Sequence, residues 1–365
     1  MPKSNELYMH RAMELALMAK GKTSPNPMVG AVIVKNDRII GEGYHKKAGT
    51  PHAEINALNS LTEDISDATM YINLEPCCHY GRTPPCTQTL IKNGLKNLVV
   101  GMLDPNPLVG GKGINELKNA GINVETGVLE KECKKLNEIY IKYITTRKPF
   151  VLLKSSITLD GKIATCTKES KWITGKESRE LVHQLREEID AIMVGIGTVI
   201  NDNPNLTAYL KADKIKDPVK IIVDSKLRIP SDANVFKSDS KVIIATTAVA
   251  DIEKIKILQD RKVDVLVIEE QEQRVNLVKL MEELGKKEIT YIMLEGGAEI
   301  NASALKSNIV DKVMFFIAPK ILGGQDSISA IGGKGCEKLT DAFNIHDLNV
   351  FRTGNDIVIE GYIDK

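Results

Sequence analysis

The chain has 365 residues, of which 42% are hydrophobic. A single core usually stops growing near ~250–300 residues, so this length predicts two domains. The 49 basic and 48 acidic residues give a net charge of +1, and 4% of the residues are aromatic. Proteins that bind nucleic acid usually need basic stripes and aromatic stacking residues, so this composition favours a small-molecule substrate and argues against a nucleic-acid partner.

Membrane and export signals are not apparent in the sequence. No apolar run approaches the roughly 18 to 20 residues of a membrane span, so no membrane partner is expected. Charges are scattered through every stretch of MPKSNELYMHRAMELALMAKGK that could act as the apolar core of a signal peptide. We therefore expect a cytoplasmic location, where clustered cysteines are more often metal ligands or catalytic groups than disulfides.

The first part of the chain alternates between helical and strand patterns. ELYMHRAMELALMAKG predicts an amphipathic helix that ends at Gly21. VGAVIVK and RIIGEGYH flank the turn residues Asn36 and Asp37, which predicts a β-hairpin. A short helix, HAEINALNSL, and the strands TMYINLEP, NLVVGML and INVETGV follow, separated by the helical patterns CTQTLIKNG and INELKNAG. This order is typical of a sheet covered by helices, and one charged helix, LEKECKKLNEIYIKYITTR, is expected to close the unit.

Pro149 marks the predicted domain boundary, because proline cannot continue the preceding helix. The expected domains are residues 1–147 and 148–365. Beyond the boundary, helical patterns such as SRELVHQLREE and NLVKLMEELGKK separate apolar strands. The predicted strands are FVLLKSSITLDG, AIMVGIG, VKIIVDS, KVIIATT, VDVLVIEE, ITYIMLEGG and KVMFFIAPKI. Strands that are almost continuously apolar predict a mostly parallel central sheet with both faces covered.

The strongest chemical signal combines PHAEINAL with PCCHYGRTPPC. His52 and Glu54 stand two positions apart at the start of a predicted helix, while Cys77 ends a strand and Cys86 opens the next helix. One histidine and two cysteines make a three-ligand zinc site with a free position for water, which is typical of a catalytic centre. Glu54 is then left for proton transfer, as in the zinc deaminases.

A structural zinc site is the alternative, and it would need four protein ligands. Cys78 or His79 could supply the fourth. Neighbouring residues at a strand end tend to face opposite ways, so Cys77 and Cys78 are not both expected to bind, and Cys77 is assigned as the ligand.

The spacing of the cysteines points to one family. Cys77 and Cys86 are nine positions apart, whereas the zinc deaminase signature places them about three apart. Together with PNPMVG and GYH, the segment PCCHYGRTPPC resembles the pyrimidine deaminase domain of the bifunctional riboflavin biosynthesis deaminases and reductases.

The resemblance implies a cytidine-deaminase-like α/β/α domain that holds one zinc ion per chain and hydrolyses the 2-amino group of a phosphorylated diaminopyrimidine. It implies His52, Cys77 and Cys86 as the zinc ligands and Glu54 as the catalytic residue. The substrate contacts that it implies are Asn26, His45, His79, Arg82 and Asn106.

The second half gives a weaker signal of its own. No G-x-G-x-x-G fingerprint opens a helix, since Gly195-Ile196-Gly197 is followed by Thr-Val-Ile. Gly296 and Gly297 stand between a predicted strand and a predicted helix. They predict either a phosphate site at the helix amino terminus or simply a tight turn.

Five further segments resemble, in order, the reductase domain of the same family: KSSITLDGKIAT, SKWITG, VGIGTVINDNPNLT, VDSKLRIP and MLEGGAEI. The resemblance implies a dihydrofolate-reductase-like α/β domain that binds NADPH and reduces a ribosyl group to ribityl. The NADPH contacts that it implies are Ser156, Trp172, Thr198, Asp202, Ser225 and Gly297. The substrate contacts that it implies are Ser170, Arg186, Leu206, Tyr209 and Glu295.

Some roles in this half have two interpretations. Lys154 either acts on the reacting sugar as a catalytic residue or is a strand-end lysine that points into water. Trp172 either stacks near the cofactor or fills the core. Lys226 and Arg228 follow a strand and suit a 2′-phosphate, which would favour NADPH over NADH.

Tyr209 stands where the family commonly carries an arginine, which predicts a weaker hold on the substrate phosphate. The family also implies a homo-oligomer, a dimer or tetramer assembled through reductase domains.

Two other functions fit the sequence less well. A nucleic-acid deaminase would carry a basic face, stacking aromatics and the shorter cysteine spacing. A zinc-stabilised binding module would have no need of Glu54 beside His52. The sequence therefore predicts a bifunctional enzyme.

Overall fold

Residues 1–147 and 148–365 form two compact units. The computed structural model describes residues 4–80, 84–107, 109–208 and 217–364. None of the helices in these ranges is long and apolar enough to cross a membrane.

The first unit is a sheet between two layers of helices. Its strands, which pair in the order β2-β1-β3-β4-β5, are β1 (Gly30–Lys35), β2 (Arg38–Tyr44), β3 (Thr69–Leu74), β4 (Asn97–Met102) and β5 (Asn123–Thr126). Its described helices are α1 (Ser4–Leu17), α2 (Ala53–Asn59), α3 (Cys86–Lys92), α4 (Lys112–Asn119), α5 (Glu130–Leu136) and α6 (Glu138–Thr146). Strand β1 is antiparallel to β2 and β3, whereas β3, β4 and β5 run parallel.

Alternation along β1 divides the apolar side chains between two cores, as expected for a strand buried on both faces. Ala31 and Ile33 pack with residues of α2, α3 and α4, while Val32 and Val34 pack with residues of α1, α5 and α6. The predicted hairpin is confirmed, because Asn36 and Asp37 both have positive φ angles, 49° and 56°. Two such residues form the type I′ turn that matches the twist of a hairpin.

The prediction of one closing helix is wrong, since α5 and α6 are separate helices that meet at Asn137. Asn137 is 2% exposed, and its side-chain amide accepts a hydrogen bond from the Met28 N–H over 2.8 Å and donates to the Met28 carbonyl over 3.0 Å. These bonds satisfy the backbone N–H and carbonyl groups of Met28, which lies 109 positions earlier. A tertiary interaction of this kind overrides the local helical pattern.

The second unit is built on a nine-stranded sheet with the order β11-β10-β9-β8-β14-β6-β15-β18-β17. Its described helices are α7 (Lys176–Glu188), α8 (Ile196–Asp202), α9 (Ile252–Asp260), α10 (Leu277–Lys286) and α11 (Ala298–Lys306). The strands of this sheet are β6 (Phe150–Thr158), β8 (Ala191–Gly195), β9 (Val219–Val223), β10 (Val242–Thr246), β11 (Asp264–Val267), β14 (Tyr291–Leu294), β15 (Lys312–Ala318), β17 (Ile345–Thr353) and β18 (Asp356–Ile363). Two short ribbons pair β7 (Lys162–Ala164) with β16 (Ile328–Ser329) and β12 (Glu270–Gln271) with β13 (Arg274–Val275).

The prediction of a mostly parallel, doubly covered sheet is confirmed. All strands from β11 to β15 in the sheet order pair in parallel, and only the β15–β18 and β18–β17 pairings are antiparallel. Alternate residues of β8 enter opposite cores, with Ile192 packed beside residues of α7 and Met193 beside residues of α10 and α11. The two C-terminal strands are absent from the sequence-based prediction. Strand β17 is mostly exposed and lacks an apolar run, and β18 alternates buried and half-buried positions without a continuous apolar run.

Candidate functional site

A histidine and two cysteines converge in the first unit. His52 is the N-cap residue of α2, Cys77 follows β3, and Cys86 is the first residue of α3. The His52 Nδ1 atom lies 3.5 Å from the Cys77 Sγ atom and 3.3 Å from the Cys86 Sγ atom. All three ligand atoms lie within 4.8 Å of one another. One imidazole and two thiols fit a zinc ion and leave a position for water or substrate.

The hydrogen bond between the two thiols shifts their pKa values in opposite directions. That bond lowers the pKa of Cys77 and raises the pKa of Cys86, which burial raises further. The Cys86 backbone N–H also donates to the Cys77 Sγ atom over 3.4 Å. Cys77 is therefore the stronger thiolate, and a metal cation would replace the remaining proton of the pair.

Glu54 lies in the first turn of α2 and is 3% exposed. Burial raises the pKa of its carboxyl group, the charge of Cys77 raises it further, and the Cys86 side chain hydrogen-bonds to it. Glu54 is not one of the converging ligand residues in the described ranges. A buried carboxyl group with a raised pKa can hold a proton near neutral pH and pass it on.

Cys78 and His79 lie outside the converging set, as far as the described chain shows. Cys78 is half-buried and His79 is exposed. Neither side chain supplies the fourth protein ligand that a structural zinc site would need.

Asn26 and His45 lie next to the histidine of the cluster. The His45 ring meets the His52 ring edge to face, with 5.3 Å between centroids. The Asn26 Nδ2 atom lies 3.2 Å from the His45 Nε2 atom, and the His45 Nδ1 atom lies 3.3 Å from the Pro51 carbonyl oxygen. Burial lowers the pKa of His45, so the ring is neutral and available for directed hydrogen bonding.

Of the other predicted substrate residues of this unit, His79 and Asn106 lie in the described ranges. The Asn106 backbone N–H donates to the Asp104 Oδ1 atom over 2.9 Å, in the loop after β4. Burial raises the pKa of the Asp104 carboxyl group. Arg82 lies outside the described residues.

Sequence reasoning missed Glu75, which fixes the strand end that carries Cys77. Glu75 is 3% exposed, and its carboxylate accepts hydrogen bonds from the backbone N–H groups of Asp104, Gly111 and Ile114 over 3.1, 2.9 and 3.2 Å. A Cβ atom on Gly113 would lie 2.4 Å from the Pro76 carbonyl oxygen, so only glycine permits this approach. A charged residue at the end of an otherwise apolar strand was the available signal.

Two cavities adjoin in the second unit, because both are lined by Ser170, Thr198, Asp202 and Gly297. The larger, of about 790 Å³, also reaches Ser225. The smaller, of about 570 Å³, is also lined by Lys154, Ser156, Trp172, Arg186, Leu206 and Glu295.

A buried cluster of charges forms one wall of the smaller cavity. The Arg186 Nε and Nη2 atoms donate to the two carboxylate oxygens of Glu295 over 2.9 and 3.0 Å, and the Lys154 Nζ atom lies 3.7 Å from the Glu295 Oε2 atom. These side chains are 11–15% exposed. Although burial opposes ionisation, the charges of Arg186 and Lys154 lower the pKa of Glu295 to about 2. Lys154 therefore points into a charged wall and not into water.

Ser156 and Trp172, which the resemblance implies as cofactor contacts, line the smaller cavity and not the larger one. Trp172 is 64% exposed, with the Arg179 guanidinium 4.7 Å above its ring, so it does not fill the core. The Ser170 Oγ atom donates to the Asp202 Oδ1 atom over 3.1 Å where the cavities meet. Tyr209 lies outside the described residues.

Comparison with known proteins decides the family. Residues 149–359 match the family model described as the RibD C-terminal domain, and residues 2–102 match the cytidine and deoxycytidylate deaminase zinc-binding region. The riboflavin biosynthesis protein RibD of Actinobacillus pleuropneumoniae is 46% identical over 355 residues, which cover 97% of this chain and 94% of that protein. The chain belongs to the RibD family.

Solved structures agree with this assignment. The RibD structure from Acinetobacter baumannii, form 1, has a TM-score of 0.89 at 36% identity and covers 99% of both chains. A diaminohydroxyphosphoribosylaminopyrimidine deaminase / 5-amino-6-(5-phosphoribosylamino)uracil reductase from Thermotoga maritima has a TM-score of 0.87 at 36% identity, again over 99% of both chains. The predicted family and the cytidine-deaminase-like first part are confirmed.

As a member of the RibD family, the chain is a bifunctional enzyme that joins a zinc-dependent deaminase to an NADPH-dependent reductase of riboflavin biosynthesis. The larger cavity reaches the start of α11. Gly297 is the N-cap residue of α11, and a Cβ atom there would meet only Thr198 Oγ1 within 4 Å, at 3.7 Å. Backbone N–H groups at such a helix start can bind a phosphate.

We expect Glu295→Gln to destabilise the second unit by roughly 3 kcal/mol near neutral pH, because two buried cations lose their counter-charge. The folded pKa of about 2 lies below the ordinary value of 4.5. The stabilisation is therefore complete above about pH 4.5 and is lost as the pH falls towards about 2. Urea unfolding at about pH 7 and about pH 3 should show a smaller difference between variant and wild type at the lower pH.

The exposed Glu283, which pairs with Lys286, provides the control, and Glu283→Gln should change stability little at either pH. A Glu295→Gln effect of equal size at both pH values would contradict the assigned ionisation.

Proposed function

We propose that the first unit hydrolyses the 2-amino group of 2,5-diamino-6-ribosylamino-4(3H)-pyrimidinone 5′-phosphate and that the second reduces the ribosyl group of the product to ribityl. The names of the RibD relatives and of the Thermotoga maritima enzyme support this substrate. The observation that carries the proposal is the buried, non-ligating carboxyl group of Glu54 beside the three converging ligand atoms.

In the first unit we assign His52, Cys77 and Cys86 as the zinc ligands. When bound, zinc supplies a Lewis acid that lowers the pKa of a coordinated water. Glu54 takes a first proton from the attacking water and delivers it to the ring nitrogen, then carries the second proton, from the hydroxyl group so formed, to the amine, which leaves as ammonia; a raised pKa suits this task. Asn26 and the neutral His45 orient the pyrimidine edge through directed hydrogen bonds.

For the phosphate of this substrate we assign His79, Arg82 and Asn106, by analogy with the family. Histidine and arginine can bind a phosphate through charge-assisted hydrogen bonds. Asp104 accepts a hydrogen bond from the Asn106 backbone N–H and so helps to hold the loop that carries Asn106.

In the second unit we assign the larger cavity to NADPH, with Thr198, Asp202, Ser225 and Gly297 on its wall. NADPH supplies the two electrons of the reduction. Ser156 and Trp172 line the smaller cavity and would contact the cofactor only where its reacting end meets the substrate.

Ser170, Arg186, Leu206, Tyr209 and Glu295 are assigned to the substrate. Lys154 is assigned as the acid that protonates the sugar oxygen, because burial lowers its pKa while Glu295 keeps it charged.

We also propose a homo-oligomer in the cytoplasm. Strand β17 ends the described nine-stranded sheet and exposes Leu348 and Val350, each by 59%. An exposed apolar edge strand is a surface that a second copy can cover. A cytoplasmic location keeps Cys77 and Cys86 reduced for zinc, and a disulfide between them in freshly isolated native protein would contradict it.

Substitution of Cys77, Cys78 and Cys86 in turn distinguishes the proposed zinc ligands from a neighbouring cysteine. Cys77→Ser and Cys86→Ser should each lose bound zinc and ammonia release, because each removes one of three protein ligands. Cys78→Ser, the matched control, should keep about one zinc per chain in elemental analysis after gel filtration. Equal zinc loss in Cys78→Ser and Cys77→Ser would refute the ligand assignment.

Glu54→Gln tests the proton carrier. The variant should keep its zinc and lose ammonia release by about 10²–10⁴-fold, since an amide cannot relay the proton. NADPH oxidation should persist when the deaminated intermediate is supplied. Ammonia release that survives in Glu54→Gln would exclude the proposed role, and zinc-loaded wild type that releases no ammonia from the diaminopyrimidine would exclude the substrate.

Leu348→Glu tests the edge strand. The charge should reduce the molecular mass in sedimentation from that of an oligomer to that of a monomer. Ile257→Glu, at a 58% exposed position of α9, is the control and should leave the mass unchanged. A monomeric wild type, or equal dissociation by both variants, would contradict the proposed interface.

A further inference from the structure

Besides Lys168, three cations line the larger cavity of the second unit. Lys226 and Arg228 lie in the turn after β9, and Arg274 opens β13 in the short β12–β13 hairpin. All three residues are exposed. Two separate chain segments therefore bring positive charge to one cavity.

The turn after β9 contains a carboxylate that cannot serve the cavity. Asp224 is fully buried, its Oδ2 atom accepts from the Ile229 N–H over 2.8 Å, and its backbone carbonyl accepts from the Leu227 N–H over 3.0 Å. The Arg228 Nε atom lies 4.0 Å from the Asp224 Oδ1 atom. In NAD sites an acidic residue at such a position binds the ribose 2′-hydroxyl. Here Asp224 stabilises the turn, and the charged residues of the turn that line the cavity are Lys226 and Arg228.

The β12–β13 hairpin is anchored over the cavity by reversible contacts. Glu272 and Gln273 form its two-residue turn with φ angles of 51° and 60°, the geometry of a type I′ turn. Two ion pairs connect the hairpin to α11: Lys306 with Glu272 at 2.9 Å, and Arg274 with Glu299 at 3.0 Å. The Arg274 and Glu299 side chains are 57% and 69% exposed, so this pair is weak and can exchange partners.

Ser225 joins the two segments. Its Oγ atom accepts a hydrogen bond from the Val275 N–H over 3.1 Å. A hydroxyl group can accept and donate at the same time, so Ser225 can keep this bond and still donate to an anion. The hairpin, the turn and a hydroxyl donor thus meet at the cavity wall.

We infer that Arg274 exchanges Glu299 for the 2′-phosphate of NADPH and forms, with Lys226, Arg228 and Ser225, the site that selects NADPH over NADH. The inference rests on the proposed assignment of the larger cavity to the cofactor. A phosphate dianion attracts an arginine more strongly than a solvated carboxylate does, because it offers more charge and more acceptor oxygens.

Binding of two nucleotides without turnover tests the inference. Calorimetry would compare 2′,5′-ADP, which carries the 2′-phosphate, with 5′-ADP, which carries the same number of phosphates elsewhere. Arg274→Gln should weaken 2′,5′-ADP by about tenfold and 5′-ADP by no more than about twofold. Arg38→Gln, which breaks a similar exposed pair with Glu63 at 2.9 Å in the first unit, should change neither.

Glu299→Gln should have the opposite effect, tighter nucleotide binding, which a misfolded variant would not show. Removing the competing carboxylate should tighten 2′,5′-ADP by about threefold relative to 5′-ADP, and Arg274→Gln in the same chain should abolish the gain. Equal effects of Arg274→Gln on both nucleotides, or a gain that persists without Arg274, would overturn the inference. A wild type that binds 5′-ADP and 2′,5′-ADP equally overturns it too, whereas a wild type that binds neither overturns the cofactor assignment beneath it.

Discussion

The carboxyl ends of parallel strands decide where the chemistry of both units lies. In the first unit, Cys77 follows β3 and Asp104 follows β4, and these strands are parallel neighbours. In the second unit, Gly195, Ser225 and Glu295 lie at or just beyond the ends of β8, β9 and β14. Parallel strands deliver their ends to one edge of a sheet, so residues far apart in sequence meet there. Helices that begin at the same edge add His52 and Cys86 in one unit and the Gly297 turn in the other.

Three largely buried glutamates at these strand or helix ends have different roles because their surroundings differ. Glu75 is satisfied by three backbone N–H groups, which fix the loop that follows β4. Glu295 is surrounded by cations, which hold its pKa at about 2 and make it a permanent negative charge. For Glu54, burial and the neighbouring Cys77 thiolate raise the pKa more than the charge of His52 lowers it. The same side chain is therefore a structural anchor, a fixed charge or a proton carrier according to the groups around it.

Sequence reasoning succeeds here where the signal is local. The hairpin at Asn36 and Asp37, the short helix that carries His52 and Glu54, and the doubly covered sheet all follow from patterns within a few residues. It fails where the deciding contact is distant in sequence. Asn137 breaks the closing helix through Met28, and the three donors to Glu75 come from 29 to 39 residues later in the chain. Which residues line each of the two adjoining cavities also depends on tertiary packing. The sequence therefore does not indicate that Ser156 and Trp172 line the smaller cavity.

The net charge of +1 reflects nearly equal numbers of basic and acidic residues, and several cations that line the two cavities lie beside a carboxylate. Arg186 pairs with Glu295, Arg274 with Glu299, and Arg228 approaches Asp224. An arriving phosphate must therefore compete with a resident carboxylate and is not drawn in by a general positive field. Breaking an exposed ion pair costs little free energy, whereas breaking the largely buried pair of Arg186 and Glu295 costs much more. On the proposed assignment, selectivity depends on which pairs open. The exposed pair of Arg274 and Glu299 can give way to a cofactor phosphate, while the largely buried pair of Arg186 and Glu295 keeps the wall of the smaller cavity in shape.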